Sequence, residues 1–443
     1  MSSWPEVRLG DLVGFKHGWP FKSELFFDDL TGRPIVVAVG NFRYTGGFRF
    51  KETAIKEYRG EYPPEYELRS GDILLVMTCQ TAGGEILGIP AQIPDDGRTY
   101  LHNQRLGKVV VRAPESVCPR FLYWLFLTRE FNGELFASAT GTKIVHTAPS
   151  RMEAFRFRLP SVTQQRSIAG VLDALDDKIE LNRKMNETLE AMARALFKSW
   201  FVDFDPVRAK MAGRTPFGMN ATTASLFPAK QSPDRIPNGW IRRPLGEWVD
   251  ALSGGTPSKG DSSLWGGDVP WISPKAMTEI FADEAESFVT PAAIGNGTRL
   301  APSGATLVMV RGMGLHERVR VSQARREVTF NQDVKALVPR HIAPSLLLLA
   351  LLDAQAELLL KVESSGHGTG KLPSEILLAH PITMPTLDAQ HRLSATFDTL
   401  LDRIALARQE SRTLAEMRDL LLPKLLSGEL RIRGAEKAVE AVL

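Results

Sequence analysis

Residues 159–196 and 384–421 are one segment written twice, 225 residues apart and without a gap. Pro160 falls on Pro385, Gln165 on Gln390, Asp173 on Asp398, Leu175 on Leu400 and Asp177 on Asp402. Ile179 then falls on Ile404, Arg183 on Arg408, Leu189 on Leu414, Met192 on Met417 and Leu196 on Leu421. A period of half the chain means one structural unit is built twice, which restricts the possible folds more than any local motif does.

The repeated segment has a helical pattern. Apolar residues follow at alternating spacings of four and three: Ile168, Leu172, Leu175, Ile179, then Leu189, Ala193, Leu196 and Trp200. The second copy gives Leu393, Phe397, Leu400, Ile404, Ala407, then Leu414, Leu421 and Leu425. A sustained 3.5-residue period is the signature of a coiled-coil seam. About 40 residues of helix would span roughly 60 Å. The two copies are expected to pack antiparallel on each other as a spacer; the alternative is that each is an amphipathic helix lying on its own domain. Asn182 and Asn186 fall on the seam where the second copy has Ala407 and Ser411.

Upstream of each helix the halves repeat more loosely. Asn103-Gln104 matches Asn331-Gln332 at an offset of 228, and Lys143 matches Lys371 at the same offset. "RSGDILLVM" at Arg69 resembles "PSGATLVMV" at Pro302, and "RLGDLV" at Arg8 resembles "PLGEWV" at Pro244. Short β-branched runs (73–77, 108–112, 306–310 and 334–338) read as strands, and 119–127 and 344–360 read as helices. Without regular βαβ alternation the class is α+β. The expected order is a globular domain (1–158), a helical spacer (159–205), a Pro- and Gly-rich linker (206–237), a second domain (238–383) and a second spacer with a tail (384–443).

At 443 residues there is chain for about three domains. Lys plus Arg total 54 against 51 Asp plus Glu, which excludes a polycation but not a locally basic face. Cys79 and Cys118 cannot make a disulfide framework and read as reduced thiols. The N-terminus has no signal-peptide pattern, and the apolar run 346–352 is too short to span a membrane, so a cytoplasmic protein is expected. Catalytic signatures are missing. "GHGTGK" fails as a phosphate loop because Ser365 stands where a glycine is required and Leu372 follows the lysine. "YPPE" at Tyr62 lacks the amide or acid that opens an adenine-methyltransferase motif.

Two different globular units, each followed by a near-identical long helix, resemble the specificity subunits of type I restriction–modification systems. The motifs carrying the resemblance are "IPNGW" at Ile236, "LGEWVDALSGGTPSK" at Leu245, "WGGDVPWISPKAM" at Trp265 and "FNQD" at Phe330. "LPSVTQQRSIAGVLDALDDKIELN" at Leu159, "LFKSWFVDFDPV" at Leu196 and "LLLPKLLSGEL" near the C-terminus add to it. The first half departs at its start, where "FKHGWPFKSELF" replaces "LSGGTPSKGDSS". The resemblance implies a non-catalytic subunit with two target-recognition domains, each reading one half of a split double-stranded DNA sequence. It also implies two modification (methyltransferase) subunits docked on the helices, motor–nuclease restriction subunits joining them, and no cofactor in this chain, S-adenosylmethionine being bound by the modification subunits. A scaffold that binds only proteins is the competing reading.

Chemistry alone nominates the DNA-contacting residues. Lys and Arg suit phosphates, Asn and Gln suit adenine, and Arg suits guanine. The first-domain candidates are Lys16, His17, Lys22, Gln80, Asn103, Gln104, Arg105, Thr142 and Lys143. The second-domain candidates are Thr256, Ser258, Lys259, Arg311, Asn331, Gln332, His367, Thr369 and Lys371. The repeated Asn-Gln pairs are either base readers or caps of a shared turn. Trp265 and Trp271 are expected in the core rather than as stacking platforms.

Overall fold

The computed structural model describes residues 4–29, 31–48, 55–79, 83–141, 143–364 and 368–440. The chain forms two compact units, residues 1–181 with 410–443, and residues 182–409. The unit boundary therefore cuts both long helices near their middles.

In the first unit, strand Glu6–Arg8 pairs antiparallel with Arg156–Arg158. A four-stranded sheet runs Val13–His17, Leu106–Val111, Ile73–Val76, Pro90–Gln92. A five-stranded sheet runs Phe26–Phe27, Glu57–Tyr58, Ile35–Val37, Tyr100–His102, Glu67–Leu68. A short pair joins Thr78–Cys79 to Val145–His146. The second unit repeats this plan. Ile241–Pro244 pairs with Pro381–Met384. The four-stranded sheet becomes Val249–Ser253, Val334–Pro339, Thr306–Met309, Val321–Gln323. The counterpart of the larger sheet is Phe288–Val289, Trp265–Ile272, Val328–Phe330, Leu300–Ala301, and in both copies one internal pairing is parallel. The short pair becomes a three-stranded sheet, Arg311–Gly312, Gly370–Lys371, Glu363–Ser364.

Val162–Phe197 forms the first long helix, extended by a π-helical turn at Lys198–Val202. Phe204 in the left-handed conformation and Pro206 end it. Leu387–Ser427 forms the second, with Pro423 inside its last turn. In the first unit, Ile168, Leu172 and Leu175 share one core with Leu414, Leu421 and Leu425, and Lys178 pairs with Glu410 at 3.4 Å. In the second, Ala193, Phe197 and Trp200 share a core with Leu393, Phe397, Leu401 and Ile404, and the Phe197 and Phe397 rings lie 6.3 Å apart. Residue numbers rise along one helix as they fall along the other, so the helices pack antiparallel, as the repeat implied.

The seam is not a strict heptad. Leu401 is buried where the 3.5-residue period pointed to Leu400, and Phe197 is buried beside a half-buried Leu196. Leu189, Leu196, Leu400 and Ile179 pack at the edges of the two cores. A straight helix drifts about 20° per heptad against a 3.5 period, and each helix also packs against its own globular module, so the buried stripe widens and shifts by one position. Asn182 is fully buried and donates to the Ala407 carbonyl at 3.4 Å.

Between the first helix and the second module the Pro- and Gly-rich stretch is folded. It contains the short helices Asp205–Met211 and Ala221–Ser225, and Val207 and Phe227 are buried with Trp240 in the second unit's core.

Candidate nucleic-acid interface

The same turn shapes one surface in both modules. In the first, the Asn103 side chain accepts from the Arg105 N–H at 3.0 Å. In the second, the Asn331 side chain accepts from the Asp333 N–H at 3.1 Å and donates to the Asp333 carboxylate at 3.1 Å. Asn331 is buried and Asn103 half-buried. The structure thus uses both asparagines as turn caps. The next residue, Gln104 or Gln332, is left exposed. Opposite each turn lies a glycine that no other residue could replace. A Cβ on Gly18 would lie 2.3 Å from Asn103 backbone atoms, and one on Gly254 would lie 2.3 Å from the Asn331 carbonyl.

Strand pairing fixes which residues are equivalent. Thr147 N–H bonds to the Met77 carbonyl at 3.0 Å, and Leu372 N–H bonds to the Val310 carbonyl at 2.9 Å. Thr78 faces His146 in the first module, and Arg311 faces Lys371 in the second. The counterpart of Lys371 is therefore His146, not Lys143 as the "GTK" and "TGK" wording suggested. The helices' own offset of 225, carried back upstream, gives this equivalence; the three-residue drift to 228 falls between the two strand pairs.

In the first module an open cleft of about 360 Å³ is lined by His17, Met77, Thr78, Gln104, Arg105, Ile144, His146 and Thr147. Three of these, His17, Gln104 and Arg105, were nominated from sequence. Thr78 and His146 were missed, because neither stands out by type and they are 68 residues apart. The Thr78 hydroxyl and His146 Nδ1 are 3.0 Å apart, which holds the ring and leaves Nε2 as its open nitrogen. Lys16 lies 4.8 Å from the Tyr66 ring centre, and Lys22 is exposed at the start of a short turn. Lys143 is exposed. Gln80, Thr142 and His367 lie outside the described residues.

In the second module Thr256 donates to Gln332 Oε1 at 2.7 Å. Ser258 and Lys259 are exposed, and Thr369 is half-buried. Trp265 Nε1 donates to the Ser258 carbonyl and Trp271 Nε1 to the Gly255 carbonyl, both at 3.0 Å. The two indoles pack edge to face at 5.4 Å. Half-buried and hydrogen-bonded, they brace the 254–258 loop. His316 joins the neighbourhood unforeseen, 2.9 Å from the Gly368 carbonyl.

The fold and these surfaces define a class: an internally duplicated protein whose two α+β modules each carry a polar loop surface and each lead into a long helix. Residues 1–191 and 237–416 match the family described as type I restriction modification DNA specificity domain, and the chain belongs to that family. It is a type I restriction–modification specificity subunit with two target-recognition domains, and subunits of this kind are non-catalytic. It is 28% identical to the type I restriction enzyme HindI specificity subunit of Haemophilus influenzae over 97% of this chain and 100% of that one. It is 26% identical to the MjaIX specificity subunit of Methanocaldococcus jannaschii over 72% of this chain and 70% of that one. Its fold is similar to the crystal structure of a type I restriction–modification S subunit from M. genitalium, with a TM-score of 0.55, 15% identity and 96% coverage of both chains.

Among the described residues no helix is long and apolar enough to cross a membrane.

Proposed function

We propose that this subunit selects a split double-stranded DNA sequence, with one half read by each recognition domain and the paired helices setting the gap. The observation that carries the reading is where the two modules agree and where they differ. They agree at architectural positions: the buried Gln165 and Gln390, and Gly18 and Gly254, where a side chain would strike the facing turn. At exposed positions of the same backbone frame they share Gln104 and Gln332 but differ elsewhere, as at His146 against Lys371. Two readers of unlike bases built on one scaffold would diverge in this way. Two DNA sites one helical turn apart are about 34–36 Å distant, which a helix of this length can bridge.

In this reading the helical region docks two modification subunits, which carry S-adenosylmethionine and the methyl transfer, and motor–nuclease subunits join them in the cytoplasm. This chain supplies recognition and no chemistry. The test is a single-molecule methylation map of a host expressing the chain with its cognate modification subunit. A new motif of two short defined blocks around an unspecified gap is expected. An assembled complex that leaves no new motif overturns the reading and favours a protein scaffold.

A further inference from the structure

Arg311 and Lys371 are direct cross-strand neighbours, both exposed; the exposed Glu363 faces Lys371 from its other side, and neither cation makes a side-chain hydrogen bond or ion pair among the described residues. Like charges placed opposite each other on paired strands repel. Both side chains are donors only. Such a pair is complementary to a surface rich in acceptors, and guanine presents two, O6 and N7, in the major groove. The equivalent pair in the first module has a different capacity. His146 has one ring nitrogen engaged by Thr78 and the other open, so it offers a single hydrogen bond. It lines the cleft together with the uncapped Gln104 and Arg105 side chains.

We propose that these facing positions, Thr78 with His146 and Arg311 with Lys371, are the specificity-determining pair of each recognition domain. The Arg311–Lys371 pair takes the acceptor edge of a guanine in one half of the target. The His146 position reads a base in the other half. The proposal rests on the split-target reading above and adds to it the residues that set the sequence. It gives the duplication a concrete consequence: the same two backbone positions, filled differently, produce two different half-sites.

The experiment uses the full complex with its modification subunit. Methylation motifs and duplex binding are measured for the wild type, Arg311→Ala, Lys371→Ala and His146→Ala, with thermal unfolding as the check on folding; all three positions are exposed. Arg311→Ala and Lys371→Ala are each expected to relax one G·C position in one half-site, discrimination there falling roughly ten- to a hundredfold. His146→Ala is expected to relax a position in the opposite half-site only. Equal weakening of matched and mismatched duplexes, with the salt slope reduced by about one, identifies phosphate contacts and overturns the proposal. An unchanged motif also overturns it, as does relaxation of the same half-site by both sets of variants. A wild-type complex with no split motif instead defeats the underlying reading, so the two failures are distinguishable.

Discussion

Gln165 and Gln390 stand 225 residues apart and make the same three hydrogen bonds. Gln165 Oε1 accepts from the Cys118 N–H at 2.8 Å, and its amide donates to the Ser116 and Pro160 carbonyls at 3.0 and 2.9 Å. Gln390 Oε1 accepts from the Ala343 N–H at 3.1 Å, and its amide donates to the His341 and Pro385 carbonyls at 3.3 and 3.0 Å. Cys118 and Ala343 each precede a module helix that begins with proline. Each glutamine therefore fastens the base of a long helix to the start of a helix in its own module, fixing the angle at which that module is held.

Replacing Gln165 with Met keeps the volume but strands an N–H and two carbonyls. A buried polar group left unpaired costs about 1–3 kcal/mol. The expected loss is about 3 kcal/mol, read as a lower urea midpoint for the first unit. Thr163→Ala, at an exposed position nearby whose side chain makes no hydrogen bond among the described residues, should change stability by less than about 0.5 kcal/mol. Equal midpoints for Gln165→Met and the wild type would show that the glutamine fastens nothing.

The one-residue shift of the seam is testable by the same assay. Leu401→Asp puts a carboxylate in a fully buried position, and Leu400→Asp puts it at a half-buried edge. An unpaired buried charge costs several kcal/mol. Leu401→Asp should prevent folding of the second unit or assembly with modification subunits, and Leu400→Asp should do less damage. Leu175→Asp, in the first unit's core, should behave like Leu401→Asp. The reverse order for Leu400 and Leu401 would restore the strict heptad.

Much of the architecture was legible because it is written twice. The helix repeat gave the two-unit plan and the antiparallel pairing, and β-branched runs gave the strands at 73–76 and 306–309. The period could not place Leu401, because burial there is shared between the partner helix and the module core. Composition does not show that the linker folds: Val207 and Phe227 carry enough apolar surface to pack it against Trp240. At the site, residue type nominated Gln104, Arg105, Arg311 and Lys371, but it could not separate capping asparagines from exposed glutamines. That distinction depends on a turn closed by backbone hydrogen bonds. His146 was missed for a similar reason: its role follows from strand pairing with Thr78, 68 residues away.

The Asn-Gln pairs should accordingly split in their effects. Asn103→Ala and Asn331→Ala remove turn caps, so each should cost about 1 kcal/mol of stability and leave the methylation motif unchanged. Gln104→Ala and Gln332→Ala, at exposed positions, should leave stability unchanged and alter DNA discrimination. Thermal unfolding and motif mapping on the four variants separate the effects. A changed motif in Asn331→Ala with normal stability would make the asparagine a reader after all.

His102 sets an acid limit on the first unit. It lies in the strand Tyr100–His102, is fully buried, and donates from Nε2 to the Leu106 carbonyl at 2.9 Å. Burial pushes its imidazole from 6.5 down to about 4; the Leu106 carbonyl partly opposes this, and nearby Lys108 and Lys16 add to it. The folded state thus resists a proton that the unfolded chain accepts near pH 6.5. Stability is unaffected above that pH, falls as pH drops toward 4, and levels off below. The linkage amounts to about 2 kcal/mol between pH 7 and pH 5. His102→Gln keeps a side-chain amide that can donate to the Leu106 carbonyl and removes the titration. Phe330, buried at the equivalent place in the second module, shows that the position does not need an ionisable group. The variant should lose stability less steeply than the wild type between pH 7 and pH 5, with the difference confined to the first unit's unfolding transition. Parallel pH profiles would mean that His102 is not the group responsible.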